Sequence, residues 1–279
     1  MNAVSNLDPG MDLMTTPMAP NPSGEPPNFV NPPSLKNATL SVGVLLIVIS
    51  GFMLTLRLFA KWKHSKEFHL DDVFCLFGWI CAIAYWAISY SMVLGGSSGR
   101  HAWDTPIGVI LAPTYMKRML SQTILGGFNM WMVRAAVLLF YIRIFNSVRW
   151  VRYTSWGVII LSGILYTSGI FLSIANCAPR AGKSWNSVSF AKCSDPIVSR
   201  FFIASGVASV ITDCITFAIP FPIIVRLQLS SKKRLGLLIV FSLAICTVIA
   251  SCASLAYRIL VHQRVTDATW VGMQAIITS

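Results

Sequence analysis

Hydrophobic positions in this chain come in blocks. Apolar stretches of about 20 to 27 residues recur between short polar segments, and about 20 helical residues cross a bilayer's hydrocarbon core. The pattern predicts spans at residues 39–58, 71–94, 119–142, 153–175, 197–225 and 235–257, with a seventh opening near Asp267. From Asp267 to Ser279 there is helix for only about 20 Å, against a core about 30 Å thick. Either that last span continues past Ser279 or it does not cross alone. The expected fold is an all-α membrane protein, a bundle of six full transmembrane helices plus a short or truncated seventh. So many long apolar stretches exclude a soluble helical domain.

The first 36 residues break the pattern. "DPGMDLMTTPMAPNPSGEPPNFVNPPS" has no apolar run, and eight of the 14 prolines precede Lys36. Such a segment buries too little surface to offset its ordering entropy, so residues 1–36 read as a disordered Pro-rich tail. Residues 37–279 read as the polytopic membrane domain. The tail has neither a basic n-region nor an apolar h-region, which excludes a signal peptide.

Composition agrees with the blocks. Only 11% of the 279 residues are charged, where globular domains have about 25%. The cations are placed unevenly. Arg57, Lys61, Lys63 and Lys66 follow the first span, Arg143, Arg149 and Arg152 the third, and Arg226, Lys232, Lys233 and Arg234 the fifth. Short loops dense in Lys and Arg stay cytosolic, which puts the N-terminus outside. The net charge of +12 then signals topology and attraction to anionic lipid. Nucleic acid is excluded as a partner, because there is no basic soluble domain to hold it.

Cys75, Cys81, Cys214, Cys246 and Cys252 fall inside spans and read as small buried hydrophobes. Cys177 and Cys193 flank the loop "CAPRAGKSWNSVSFAKC", which the charge rule places outside, where disulfides persist. A bridge between them would be worth about 3 kcal/mol in the chain-entropy model. Asn37, in "NAT", matches the glycosylation acceptor pattern but sits against the membrane edge, where the modifying enzyme reaches poorly.

Two ionisable residues lie deep in spans and need partners. Arg134, in "MWMVRAAVLLFYIRIF", precedes Arg143 by nine residues, about 13 Å of helix. Asp213 precedes Arg226 by thirteen, about 19 Å. Asp213 belongs to a polar stripe with Ser205, Ser209 and Thr216. Thr247, Ser251, Ser254 and Arg258 form a second stripe in the sixth span. Helical spacing puts each set on one face, and the two faces predict a small polar interior. The leading pairing is Arg134 with Asp213, a structural lock or a switch. The competitor is Asp72, which would require Arg134 to reach about 10 Å toward the cytosol. Asp71 and Asp72, in "HLDD", read as helix-start acids that complement the macrodipole, with Asp71 as a cap. No metal is expected, since His64 and His69 do not share a helix face. "IPFP", Pro220 to Pro222, predicts a kink near the end of span five.

Together these motifs have a family character. "RLFAKW…HLDDVFCLFGW", "VRAAVLLFYIRIF", the two-cysteine loop, "ITDCITFAIPFPIIVRLQLSSKKRLGLLIVFSLA" and "YRI" resemble the fungal rhodopsin-like integral membrane family, over about residues 40 to 279. That family includes receptor-like proteins and a membrane protein of the satratoxin gene cluster. The resemblance implies seven helices with an outward N-terminus. Its motif positions match Asp71, Asp72, Arg134, Tyr141, Arg143, Cys177, Cys193, Asp213, Pro220 and Pro222. No retinal is expected: a Schiff base needs a Lys inside a span, and all nine lysines lie in the tail, in loops or at loop edges.

Three functions fit. The leading one is a multipass receptor-like or accessory protein of the plasma membrane or an endomembrane. Its partners would be the lipid bilayer and a small hydrophobic ligand or a cytosolic protein. The resemblance adds an association with fungal secondary-metabolite (mycotoxin) biosynthesis. A membrane-embedded cyclase or isomerase is the alternative, but Asp213 alone could serve as an acid within the bilayer, and beside Arg134 it would be a poor donor. A transporter ranks last, since no internal repeat is visible.

Overall fold

The computed structural model describes residues 12–64, 69–145, 148–179, 185, 196–222 and 245–260, and positions 267, 269, 270 and 273. Seven α-helices fall within these residues. They are α1 (Lys36–His64), α2 (Leu70–Leu94), the short α3 (Ile107–Leu111), α4 (Pro113–Ile144), α5 (Arg149–Cys177), α6 (Pro196–Ala218) and α7 (Ile245–Leu260). A 3-10 turn, Ala102–Asp104, precedes α3. Among the described residues β-structure is limited to two isolated bridges. Helices α1, α2, α4, α5 and α6 are long and apolar enough to cross a membrane, and α7 is a shorter apolar helix. The protein is a multipass helical membrane protein. Their exposed apolar faces suit lipid, which does not penalise them as water would.

The first four predicted spans sit inside α1, α2, α4 and α5, which run longer than the apolar count, while residues 235–244 of the sixth span and most of the partial seventh lie outside the described residues. α4 starts at Pro113 rather than 119, because its first turns, "PTYMKRMLSQT", are polar yet good helix formers. Pro at the first helical position supports that start. Span five was placed to residue 225, but α6 ends at Ala218, and a turn at Ile219–Pro220 follows. Most of the linker to α7 lies outside the described residues.

α1 attaches to the bundle through two glycines. The Trp86 indole occupies the space a side chain at Gly43 would need, and a Cβ on Gly51 would come within 2.8 Å of Trp79. The indole nitrogens donate to the carbonyls of Thr39 (3.3 Å) and Ile47 (3.4 Å). The rest of α1 is largely uncovered by protein. α2 packs along α4, where buried Gln122 donates to Ser89 Oγ at 2.9 Å. The densest core joins Ala135, Leu138 and Tyr141 of α4 to Val151, Val158 and Ile159 of α5 and to Ile219.

The tail differs from its compositional reading. From Asp12 onward it runs over the loop between α2 and α4. Met18 N–H donates to the Thr105 carbonyl at 3.0 Å, and Ile107 N–H to that of Thr16 at 3.0 Å. Gly108 N–H donates to the Leu13 carbonyl at 2.9 Å, and Leu35 N–H to that of Gly99 at 2.9 Å. Asn28 N–H donates to buried Asp104 at 2.9 Å. Composition under-reads such a segment because proline restricts the unfolded chain, which lowers the entropy lost on ordering. Backbone hydrogen bonds hold it without an apolar core.

Candidate site within the bundle

Arg134 is 8% exposed and lies where α4, α5, α6 and α7 converge. Its Nε donates to Asp213 Oδ1 and its Nη2 to Asp213 Oδ2, both at 2.8 Å. This is the fork-to-carboxylate geometry that makes Arg pairs strong and directional. Nη2 also reaches Ser209 Oγ, and Nη1 donates to the Tyr166 hydroxyl on α5. Tyr166 and Ser209 hydroxyls are themselves 3.3 Å apart. From α7, Ser251 Oγ donates to Asp213 Oδ2. One ion pair thus joins four helices.

The two predicted polar stripes divide. Ser209 and Ser251 enter the site. Ser205 donates to its own helix at the Phe202 carbonyl (2.9 Å), and Thr216 to that of Thr212 (2.8 Å). Thr247 and Ser254 lie on α7, about one turn before and after Ser251. Arg258 crosses to the Phe202 carbonyl at 3.3 Å. Tyr166 had no place in either stripe. Its only sequence signal is a hydroxyl-bearing aromatic deep in the apolar run "SGILYTSG".

Asp71 and Asp72 are far more engaged than helix-start acids need be. Each is 2% exposed. Asp72 pairs with Arg57 Nε at 3.1 Å and with Lys61 Nζ at 2.5 Å. Asp71 pairs with Arg57 Nη2 at 2.5 Å and Lys61 Nζ at 3.3 Å, and Arg143 Nη1 stands 3.8 Å away. The cap role also moves. His69 is the N-cap, and Asp72 rather than Asp71 accepts its backbone N–H, at 3.1 Å. The competing Arg134–Asp72 pairing is therefore excluded, because Asp72 is held by α1. The signal missed in the sequence was spacing: Arg57 and Lys61 are four apart, on one helical face, near the end of α1 and close in the chain to Asp71 and Asp72.

His69, Asp71 and Asp72 bring potential ligand atoms within 4.8 Å of one another. However, both carboxylates are already bound by Lys61 and Arg57. With Arg143 these side chains carry three positive charges against two negative, so a divalent cation would enter an already positive field.

On the tail side, His101 lies against Trp103 and Trp270 and beside Asp267. Asn37 is exposed in the first turn of α1, and its carbonyl accepts from Ser41 Oγ. Cys177 is the last residue of α5, while Cys193 lies outside the described residues. Cys75 and Cys81 are half-buried, whereas Cys214, Cys246 and Cys252 are exposed toward lipid rather than buried. The described lysines all lie in helices near an end: Lys36, Lys61 and Lys63 in α1 and Lys117 in α4.

The chain is similar to three curated fungal proteins. Fugralins biosynthesis cluster protein 2 of Gibberella zeae is 23% identical over 89% of this chain and 62% of its own length. A SAT4 family membrane protein of Emericella nidulans is 25% identical over 60% of this chain and 44% of its own. Receptor GIN3 of Arthrobotrys oligospora is 26% identical over 73% of this chain and 48% of its own. The chain thus spans between about two fifths and two thirds of these relatives. No solved structure matches it. Residues 56–279, which carry α1's charged end, both acids of α2, the four-helix ion pair and the tail-side tryptophans, match the fungal rhodopsin domain, and the chain belongs to that family.

Proposed function

We propose that this protein is a receptor-like or accessory membrane component of fungal secondary-metabolite biosynthesis, without chemistry of its own. The observation that carries the reading is the Arg134–Asp213 pair. Its charge is balanced, both carboxylate oxygens are occupied, and it ties four helices to one point. An ion-paired carboxylate has no proton to give, so the pair suits positioning better than acid–base work. Ser251 is the bond of α7 to the pair, so a ligand that displaces α7 would change what holds Asp213. That is the element a ligand-responsive protein needs. The ligand would be small and hydrophobic, bound without a retinal Schiff base. Among the relatives, one is named for a biosynthesis cluster and one as a receptor, which supports both halves of the reading.

The test is deletion in the native host with metabolite profiling, complemented by wild type and by Asp213→Asn. Unchanged metabolite chemistry with a lost response or lost induction of a whole pathway supports the reading. Loss of one compound with accumulation of its immediate precursor, reproduced by Asp213→Asn at normal protein level, overturns it in favour of an embedded cyclase or isomerase.

A further inference from the structure

We propose that the tail-side cap is a latch with His101 at its centre, and that it restrains Asp267, Thr269, Trp270 and Met273, which follow α7 in the chain. The imidazole is nearly parallel to two indoles, Trp103 with centroids 4.5 Å apart and planes at 5°, and Trp270 at 4.1 Å and 11°. Two rings that close and that parallel must occupy its opposite faces. His101 Nδ1 is 2.9 Å from Asp267 Oδ2, and Asp267 Oδ1 accepts the Ala102 backbone N–H at 3.1 Å. Thr269 Oγ1 donates to the Arg100 carbonyl at 2.8 Å. Residues 100–103 are thereby fastened to residues 267–270 by stacking, an acid contact and two backbone hydrogen bonds.

Below this stack, Met273 is 2% exposed and comes within 3.6 Å of the position a Cβ on Gly99 would take. Gly99 has φ +73°, where a side chain is strained, and its carbonyl accepts the Leu35 N–H. Tail, loop and last segment therefore meet at one glycine. The latch holds residues that follow α7 in the chain, and α7 itself is held to α6 by Ser251 on Asp213 and by Arg258 on the Phe202 carbonyl. Opening the latch releases Asp267, Thr269 and Trp270, and Ser251 is the contact through which the movement reaches Asp213. This coupling rests on the receptor-like reading; the latch itself does not.

Purified protein in nanodiscs tests both parts. A cysteine placed at Met273 or at Ala102, which is 0% exposed, is labelled with maleimide, and the signal of the same protein lacking it is subtracted. His101→Ala and Asp267→Asn should each speed labelling by about tenfold, the effect of losing 1.4 kcal/mol of protection. His101→Phe, which keeps the stack but loses the acid contact, should fall between. Unchanged rates at both positions in His101→Ala overturn the latch. For the coupling, the losses of thermal stability in His101→Ala, Ser251→Ala and the double variant are compared. A double loss that departs from the sum supports coupling, because separated sites without shared partners add. Additive losses leave the latch standing and overturn the coupling. Both readouts are independent of the metabolite profile.

Discussion

The two ion-paired sites are built on opposite logic. At the pair inside the bundle, one cation meets one anion, and both side chains are about nine-tenths buried (9% and 11% exposed). At the edge of α2, two acids share Arg57, Lys61 and Arg143, whose side chains are 29%, 14% and 37% exposed. The first has no spare partner, while the second has several. Redundancy makes a fastener: α1 and α2 stay joined if one contact fails. A single pair makes a point of decision: once Arg134 and Asp213 part, Ser251 no longer ties α7 to α4, and only the neutral acceptors on Tyr166 and Ser209 still hold the guanidinium.

The largest contrast should come from removing one anion at each site. Asp213→Leu leaves a buried guanidinium without its carboxylate, which typically costs about 3–5 kcal/mol. It should show as a steep loss of folded, monodisperse protein in detergent. Arg134→Leu with Asp213→Leu should recover much of that loss, because no charge is left buried alone. If the double variant is no more stable than Asp213→Leu, burial of an unpaired charge is not what the pair prevents.

Asp72→Asn should do less. Asp71 remains within reach of both Arg57 and Lys61, so the variant weakens charged hydrogen bonds worth about 1.5–3 kcal/mol without orphaning a cation. Asp71→Asn combined with Asp72→Asn should cost more than the two singles added, because only then do Arg57 and Lys61 lose every acid. Thermal unfolding of the three variants checks this. Additive losses would mean that the acids are not redundant.

The same difference explains what could be read from the sequence. The charges inside the spans stood out because each lies deep in an apolar run, and depth along the helix together with the polar stripe around Asp213 pointed Arg134 to it. Arg57 and Lys61 did not stand out, because cations at a span's end already have a topological explanation. Their four-residue spacing put them on one face, but only the packing of α1 against α2 brings that face to Asp71 and Asp72. Tyr166 was hidden for another reason: a tyrosine in an apolar helix is unremarkable until a neighbouring helix brings a donor to its hydroxyl. His101 and Trp103 lie more than 160 positions from Asp267 and Trp270, and the two pairs come together only through the bundle's topology. The ordered tail was lost because composition reports apolar burial and says nothing of backbone hydrogen bonds to a loop.

Two smaller substitutions sharpen the comparison. Tyr166→Phe removes one acceptor of Arg134 while keeping the ring, and should cost about 1 kcal/mol. If it costs as much as Asp213→Leu, the hydroxyl is a principal partner and the site is not a simple pair. Arg143→Gln should have the least effect. Its guanidinium is 3.8 Å from Asp71 and 37% exposed, and exposed pairs contribute about 0–1 kcal/mol. Whatever it contributes should vanish as salt rises to about 1 M, where the screening length is about 3 Å. The loss from Asp213→Leu should persist at that salt, because ions in solution do not enter the bundle. Equal salt sensitivity at both sites would erase the distinction between a buried pair and a shared edge cluster.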